Sequence, residues 1–234
     1  MTDNYKRIEG EMPLRQAVVA VLGANAAPAS SEWTDEQWAA HDAQINANNM
    51  AFDAQLEAER VRDVIEEMIA RDGWPRRAIE AALAADESKS AIMKIRGVDM
   101  SDRNIIVVSG APGCGKTVGA AWWALRRKTS TKFVRASTFA AASRYDRQER
   151  TVWLKASALV LDDAGAEYSD AKGSLMVDLD ELLDTFYGDR RPLLITTNCS
   201  VADFKTRYGE RITDRLRECG RWISVDGGSL RKKT

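Results

Sequence analysis

The chain changes its hydrophobic rhythm near residue 98. Before that point apolar positions recur at helical spacing. Val61, Val64, Ile65, Met68 and Ile69 share one face of a helix predicted over 33–72, with Thr34 or Asp35 as its cap. Asn46, Asn48 and Asn49 are candidate interruptions. Gly73-Trp74 ends that helix, and Pro75 suits the first turn of a second one carrying Ile79 and Leu83. A third short helix is predicted over 88–95, stopped by Gly97. After residue 98 the apolar residues come instead in short runs, over 104–110, 132–136, 158–162, 192–197 and 222–225. These read as buried strands with helical segments between them. Five strands alternating with helices predict an α/β fold built on a parallel sheet. Apart from one apolar run over 17–22, residues 1–31 carry neither rhythm. Gly, Ala, Asn, Pro and Ser fill 23–31, so 1–31 is expected to be a poorly ordered segment. A helical region over 32–97 and an α/β domain over 98–234 would follow it.

Charge sharpens this division. Residues 1–97 carry 11 Lys/Arg against 17 Asp/Glu, a balance of −6, and residues 98–234 carry 23 against 18, a balance of +5. The basic excess permits nucleic-acid contact without establishing it. No apolar run is long enough to cross a membrane, and no basic start followed by an apolar run marks a secretory leader. The cysteines, Cys114, Cys199 and Cys219, are far apart, the single histidine is His41, and no C-x-x-C pair occurs. A zinc site, a disulfide framework and a Cys/His nucleophile are therefore unsupported, and a cytoplasmic protein with reduced thiols is expected.

The first predicted strand runs into Gly110-Ala111-Pro112-Gly113-Cys114-Gly115-Lys116-Thr117, which matches G-x-x-x-x-G-K-[ST] between a strand and a helix. The glycines let successive N–H groups turn inward around phosphates. Lys116 brings a cation to the β- and γ-phosphates, the Thr117 hydroxyl can hold Mg²⁺, and the helix over 117–127, beginning at Thr117-Val118, points its positive end at the anion. The strand Leu159-Val160-Leu161 ends in Asp162-Asp163, the Walker B pattern. Asp162 would hold Mg²⁺ directly or through water, and Asp163 could orient or activate the attacking water. The strand Leu194-Ile195-Thr196-Thr197 ends in Asn198, whose amide could touch the γ-phosphate or that water. In a helix predicted over 209–218, Arg211 and Arg215 share a face. Either could supply a cation to a nucleotide on a neighbouring subunit, or both could pair with Glu210, Asp214 and Glu218.

Taken in order, these motifs and the run Tyr208-Gly209-Glu210-Arg211 to Arg217 resemble the bacterial replicative helicase loaders of the DnaC-like AAA+ ATPases, with the IstB-type transposition ATPases close to them. The resemblance covers about 98–234. It implies an AAA+ P-loop domain with a five-stranded parallel sheet and little or no C-terminal lid, preceded by a small all-helical region. It implies slow, DNA- or partner-stimulated hydrolysis of ATP to ADP with Mg²⁺, and assembly into a nucleotide-dependent oligomer. The nucleotide site would be Gly110 to Val118, with Thr117 and Asp162 toward Mg²⁺ and Lys116, Asp162, Asp163 and Asn198 as catalytic groups. Arg215 matches the arginine finger, and Arg231 sits where a second sensor arginine would be. The implied partners are a replicative DNA helicase, gripped by the helical region, and single-stranded DNA, with no membrane. Residues 144–155 mix arginines with Tyr145 and Trp153 and are a candidate DNA contact, or an amphipathic helix with Trp153 in the core. Three other functions compete: a transposition helper acting on duplex DNA with a transposase, a small-molecule kinase, and a nucleotide-gated binder without turnover.

Overall fold

The structure, a computed structural model, describes residues 34–87, 89–98, 104–166 and 174–226. The expectation for 1–31 and the role suggested for Arg231 therefore lie outside the described residues. The chain divides into two compact units, Met1–Arg60 and Val61–Thr234.

The described part of the first unit is helical and belongs to α1 (Asp35–Asp72). Thr34 starts it with a reciprocal cap: its hydroxyl accepts from the Gln37 N–H at 3.3 Å, and the Gln37 side chain accepts from the Thr34 N–H at 2.8 Å. The three asparagines do not interrupt the helix. Each costs about 0.5 kcal/mol against alanine, and alanines at 39, 40, 43, 47 and 51 surround them. Met50 and Phe52 are largely exposed.

The second unit is an α/β sandwich. Its parallel sheet has five strands in the order β2-β3-β4-β1-β5, formed by β1 (Ile105–Gly110), β2 (Lys132–Arg135), β3 (Leu159–Ala164), β4 (Leu193–Thr197) and β5 (Gly220–Val225). Alternating side chains feed two cores. Ile106, Val108, Val160 and Leu194 face the end of α1, α2 (Arg76–Leu83), α3 (Ser90–Arg96) and α4 (Lys116–Leu125). Ile105, Val107, Leu159, Leu161, Leu193 and Ile195 face α5 (Ala136–Tyr145), α6 (Arg147–Leu154), α7 (Ser174–Gly188), α8 (Val201–Tyr208) and α9 (Glu210–Cys219). Strand and helix ends differ from the sequence reading by a residue or two, because cap geometry decides them. Ala136, for example, opens α5 instead of closing β2.

Two features tie the early helices to the sheet. Helices α2 and α3, grouped by sequence with the N-terminal region, pack on α4 through Ile79, Ala82, Ile92 and Ile95. Gly119 makes the close approach of α3 possible: a Cβ there would lie 2.9 Å from Ile95 Cδ1. At the end of α1, buried Trp74 donates its indole N–H to the Thr131 carbonyl at 2.7 Å. Asp72, only 3% exposed, accepts from Arg71 at 2.9 and 3.0 Å and from Ser130 at 2.7 Å, and pairs with Lys132 at 3.3 Å.

Burial alone would raise the Asp72 pKa, but the hydrogen bonds from Arg71, Ser130 and Lys132 outweigh it and hold it below the ordinary aspartate value. A carboxylate depressed in the folded state stabilises fully above its unfolded pKa. That contribution is lost as pH falls through the folded value. Asp72→Asn is expected to destabilise the protein by about 2 kcal/mol at neutral pH. The deficit should shrink toward low pH in thermal melts run from pH 7 to 3.

Candidate functional site

The C-terminal ends of β1, β3 and β4 converge on one cleft. β1 delivers the chain into the loop 111–115, and α4 leaves it at Lys116. Gly113 (φ 83°) and Gly115 (φ 92°) take the left-handed conformation that turns the loop back on itself. Gly110 is required for space instead, since a Cβ there would lie 2.5 Å from the Val225 carbonyl and 2.9 Å from Cys114 Sγ. The loop and its neighbours line a cavity of about 380 Å³. Pro112, Gly113, Gly115, Lys116, Thr117 and Val118 contribute from the loop and α4, Asp163 and Asn198 from the strand ends, and Ala81 and Lys89 from the α2–α3 segment. Ala81 and Lys89 were missed by sequence reasoning; they carry no motif, and only the packing of α2 and α3 on α4 brings them there. Ala111 and Cys114 complete the loop, and Cys114 is buried.

Polar groups link across the cleft. Lys116, 6% exposed, donates to the carbonyls of Gly110 at 2.8 Å and Ala111 at 3.0 Å, and to Asn198 Oδ1 at 2.7 Å. The other end of the Asn198 amide donates to Asp163 Oδ1 at 3.3 Å. Thr117 Oγ1 donates to Asp162 Oδ1 at 3.0 Å. Burial pushes the Asp162 carboxyl above the ordinary aspartate pKa, and the neighbouring Asp163 charge adds to this; hydrogen bonds from Thr196 and Thr117 oppose it. A hydroxyl beside a buried carboxylate is an oxygen-only donor pair, which suits Mg²⁺ completed by phosphate oxygens and water. Among the described residues no cluster of three or more His, Cys, Asp or Glu could hold a metal without such help.

β3 carries an irregularity at the two acids. Its register with β4 runs Leu161 to Ile195 and then Ala164 to Thr197, so Asp162 and Asp163 both oppose Thr196. This is a β-bulge, and Asp163 adopts φ 61° within it. The bulge separates the two carboxylates: Asp162 is 5% exposed beside Thr117, while Asp163 is exposed toward the cavity. The site thus brings together Gly110 to Val118, Asp162, Asp163 and Asn198.

Arg211 and Arg215 of α9 lie away from this cavity lining. Arg215 pairs with Asp180 at 3.1 Å and with Asp184, both on α7, and Arg211 pairs with Asp180 at 2.7 Å. Their partners are thus α7 carboxylates, not the neighbouring acids of their own helix. Arg211 is 76% exposed and Arg215 29%. In the 144–155 segment, Trp153 is core and Arg150 pairs with Asp178 and Glu181. Tyr145, by contrast, is 85% exposed.

A phosphate loop, a strand-end acid pair and a strand-end asparagine on a sheet of this order define an AAA+ P-loop nucleotide-binding protein. The chain belongs to the IstB-like ATP binding protein family, whose model matches residues 76–234 and so takes in α2 and α3. No curated protein matches it in sequence. Among solved structures it is similar to DnaI (20% identity, TM-score 0.53), with 68% of this chain and 94% of that one covered. A structure from Streptococcus pyogenes serotype M3, described as a primosome component, gives 20% identity, TM-score 0.53 and coverage of 68% and 93%. The DnaC helicase loader is 19% identical with TM-score 0.48, covering 58% and 86%. Among the described residues no cysteine forms a disulfide, and no helix is long and apolar enough to cross a membrane.

Proposed function

We propose that this protein binds and hydrolyses ATP and helps load a replicative helicase onto single-stranded DNA. The observation that carries the enzymatic part is the chain of hydrogen bonds from Lys116 through Asn198 to Asp163. It connects the cation that would hold the γ-phosphate to the carboxylate that would orient the attacking water. Gly110 to Val118 would cradle the nucleotide, and Thr117 and Asp162 would hold Mg²⁺. Bound there, Mg²⁺ would neutralise charge on the phosphates. Asn198 would bridge the γ-phosphate and Asp163, and Asp163 would accept the proton of the water as it attacks. An acid one methylene shorter than glutamate fits slow turnover.

The DNA and partner assignments rest on the motif order shared with the DnaC-like loaders, on the basic excess of 98–234, and on exposed Tyr145, available to stack on a base. The exposed apolar side chains Met50 and Phe52 of α1 are candidates for gripping the helicase. Self-association would bring an α9 arginine to a neighbour's nucleotide. Arg215 is the motif match and would have to leave Asp180 and Asp184, while Arg211 is the more exposed. The IstB-like family match favours one second reading, a transposition helper acting on duplex DNA with a transposase.

Steady-state ATP hydrolysis with and without DNA tests the proposal. Slow basal turnover rising severalfold with single-stranded oligonucleotide is expected. Equal turnover with and without DNA, and no response to a replicative helicase, would count against it.

A further inference from the structure

Thr196 is completely buried at the centre of the sheet, and its single hydroxyl serves both acids of the β3 bulge. It donates to Asp162 Oδ1 at 2.7 Å and accepts the backbone N–H of Asp163 at 2.9 Å. In a regular parallel ladder an N–H bonds to a neighbouring carbonyl. At the bulge the Asp163 N–H goes to a side chain instead, and the residue holding that bond has positive φ. A hydroxyl has one proton and two lone pairs, so it can do both jobs at once. Valine has the same shape and can do neither.

We infer that Thr196 is a positioning residue for the nucleotide's metal and for the water-orienting acid. It fixes the Asp162 carboxylate toward Thr117, and it pins the backbone kink that turns Asp163 toward Asn198. The inference rests on the reading of Thr117 and Asp162 as ligands of nucleotide-bound Mg²⁺. Outer partners that orient metal-binding carboxylates change metal affinity or activity by about 10- to 100-fold when removed. A hydroxyl needed only to satisfy a buried N–H would change stability and leave the Mg²⁺ requirement alone.

The test compares the full chain with Thr196→Val and Thr196→Ser. The first readout is equilibrium binding of mant-ATP at increasing Mg²⁺, which does not depend on turnover. The second is kcat and KM for ATP. Thr196→Val should bind mant-ATP in EDTA within about twofold of wild type. It should need about tenfold more Mg²⁺ for half-maximal tightening and lose about 10- to 100-fold in kcat with KM little changed. Thr196→Ser keeps the hydroxyl and should restore both within about threefold. A Thr196→Val protein with the wild-type Mg²⁺ requirement and kcat would overturn the inference, as would a serine variant as impaired as the valine one. Wild-type protein whose mant-ATP affinity ignores Mg²⁺ would overturn the metal reading itself, and this inference with it; that failure is visible without any variant.

Discussion

Lys116→Ala is expected to weaken mant-ATP and mant-ADP binding by at least about 100-fold, the loss of two charge-assisted hydrogen bonds to phosphate at about 1.5 kcal/mol or more each. The ammonium is nearly buried and is held by two loop carbonyls and Asn198. Its position is therefore set by the loop and not by a flexible surface chain. Alanine removes the cation and leaves Gly113 and Gly115 in place, so the loop should keep its path. The melting temperature should fall by only a few degrees. Fluorescence titration with both nucleotides measures the affinity, and thermal denaturation measures the stability. Unchanged affinity would mean that the phosphates bind elsewhere.

Asp163→Asn should lower ATP turnover by about 10²- to 10³-fold while mant-ATP affinity stays within about threefold. The substitution isolates the charge. Asparagine has the same size and is among the residues that tolerate positive φ, so the bulge at 61° is kept. Its side-chain oxygen can still accept from Asn198 as Asp163 does at 3.3 Å. What is lost is the negative charge, and with it the capacity to take a proton from water. Alanine at the same position would confound the result, because its Cβ would sit at strained backbone without compensation. Single-turnover quench-flow with a separate binding titration distinguishes chemistry from affinity. Turnover unaffected by Asp163→Asn would mean that this carboxylate does not act on the attacking water.

The strands and the phosphate loop were legible because each is written locally. Ile105 to Val108 form an unbroken apolar run, and the glycines and lysine after it have fixed spacing. Asp162, Asp163 and Asn198 were legible as strand ends. The β3 bulge was not, since a register shift depends on the partner strand and leaves no mark in one sequence. Ala81 and Lys89 were equally invisible, because α2 and α3 pack on α4 through ordinary apolar residues. Asp72 looked like the end of a helix, and its role in fastening α1 to Ser130 and Lys132 needed a contact across more than fifty residues. Arg211 and Arg215 of α9 show the converse. Their spacing was clear, yet their carboxylate partners came from α7 and could not be read from α9 alone.

If this protein loads a helicase as proposed, its nucleotide state controls its grip on single-stranded DNA. Fluorescence anisotropy tests it most directly, with labelled single-stranded and duplex oligonucleotides titrated with protein in ATP, in ADP and without nucleotide, and with Lys116→Ala as control. Single-strand binding is expected to be tightest in ATP, weaker in ADP and insensitive to nucleotide in the variant. Failure to bind DNA in any nucleotide state would contradict it, and a preference for duplex would replace the loader with the transposition helper.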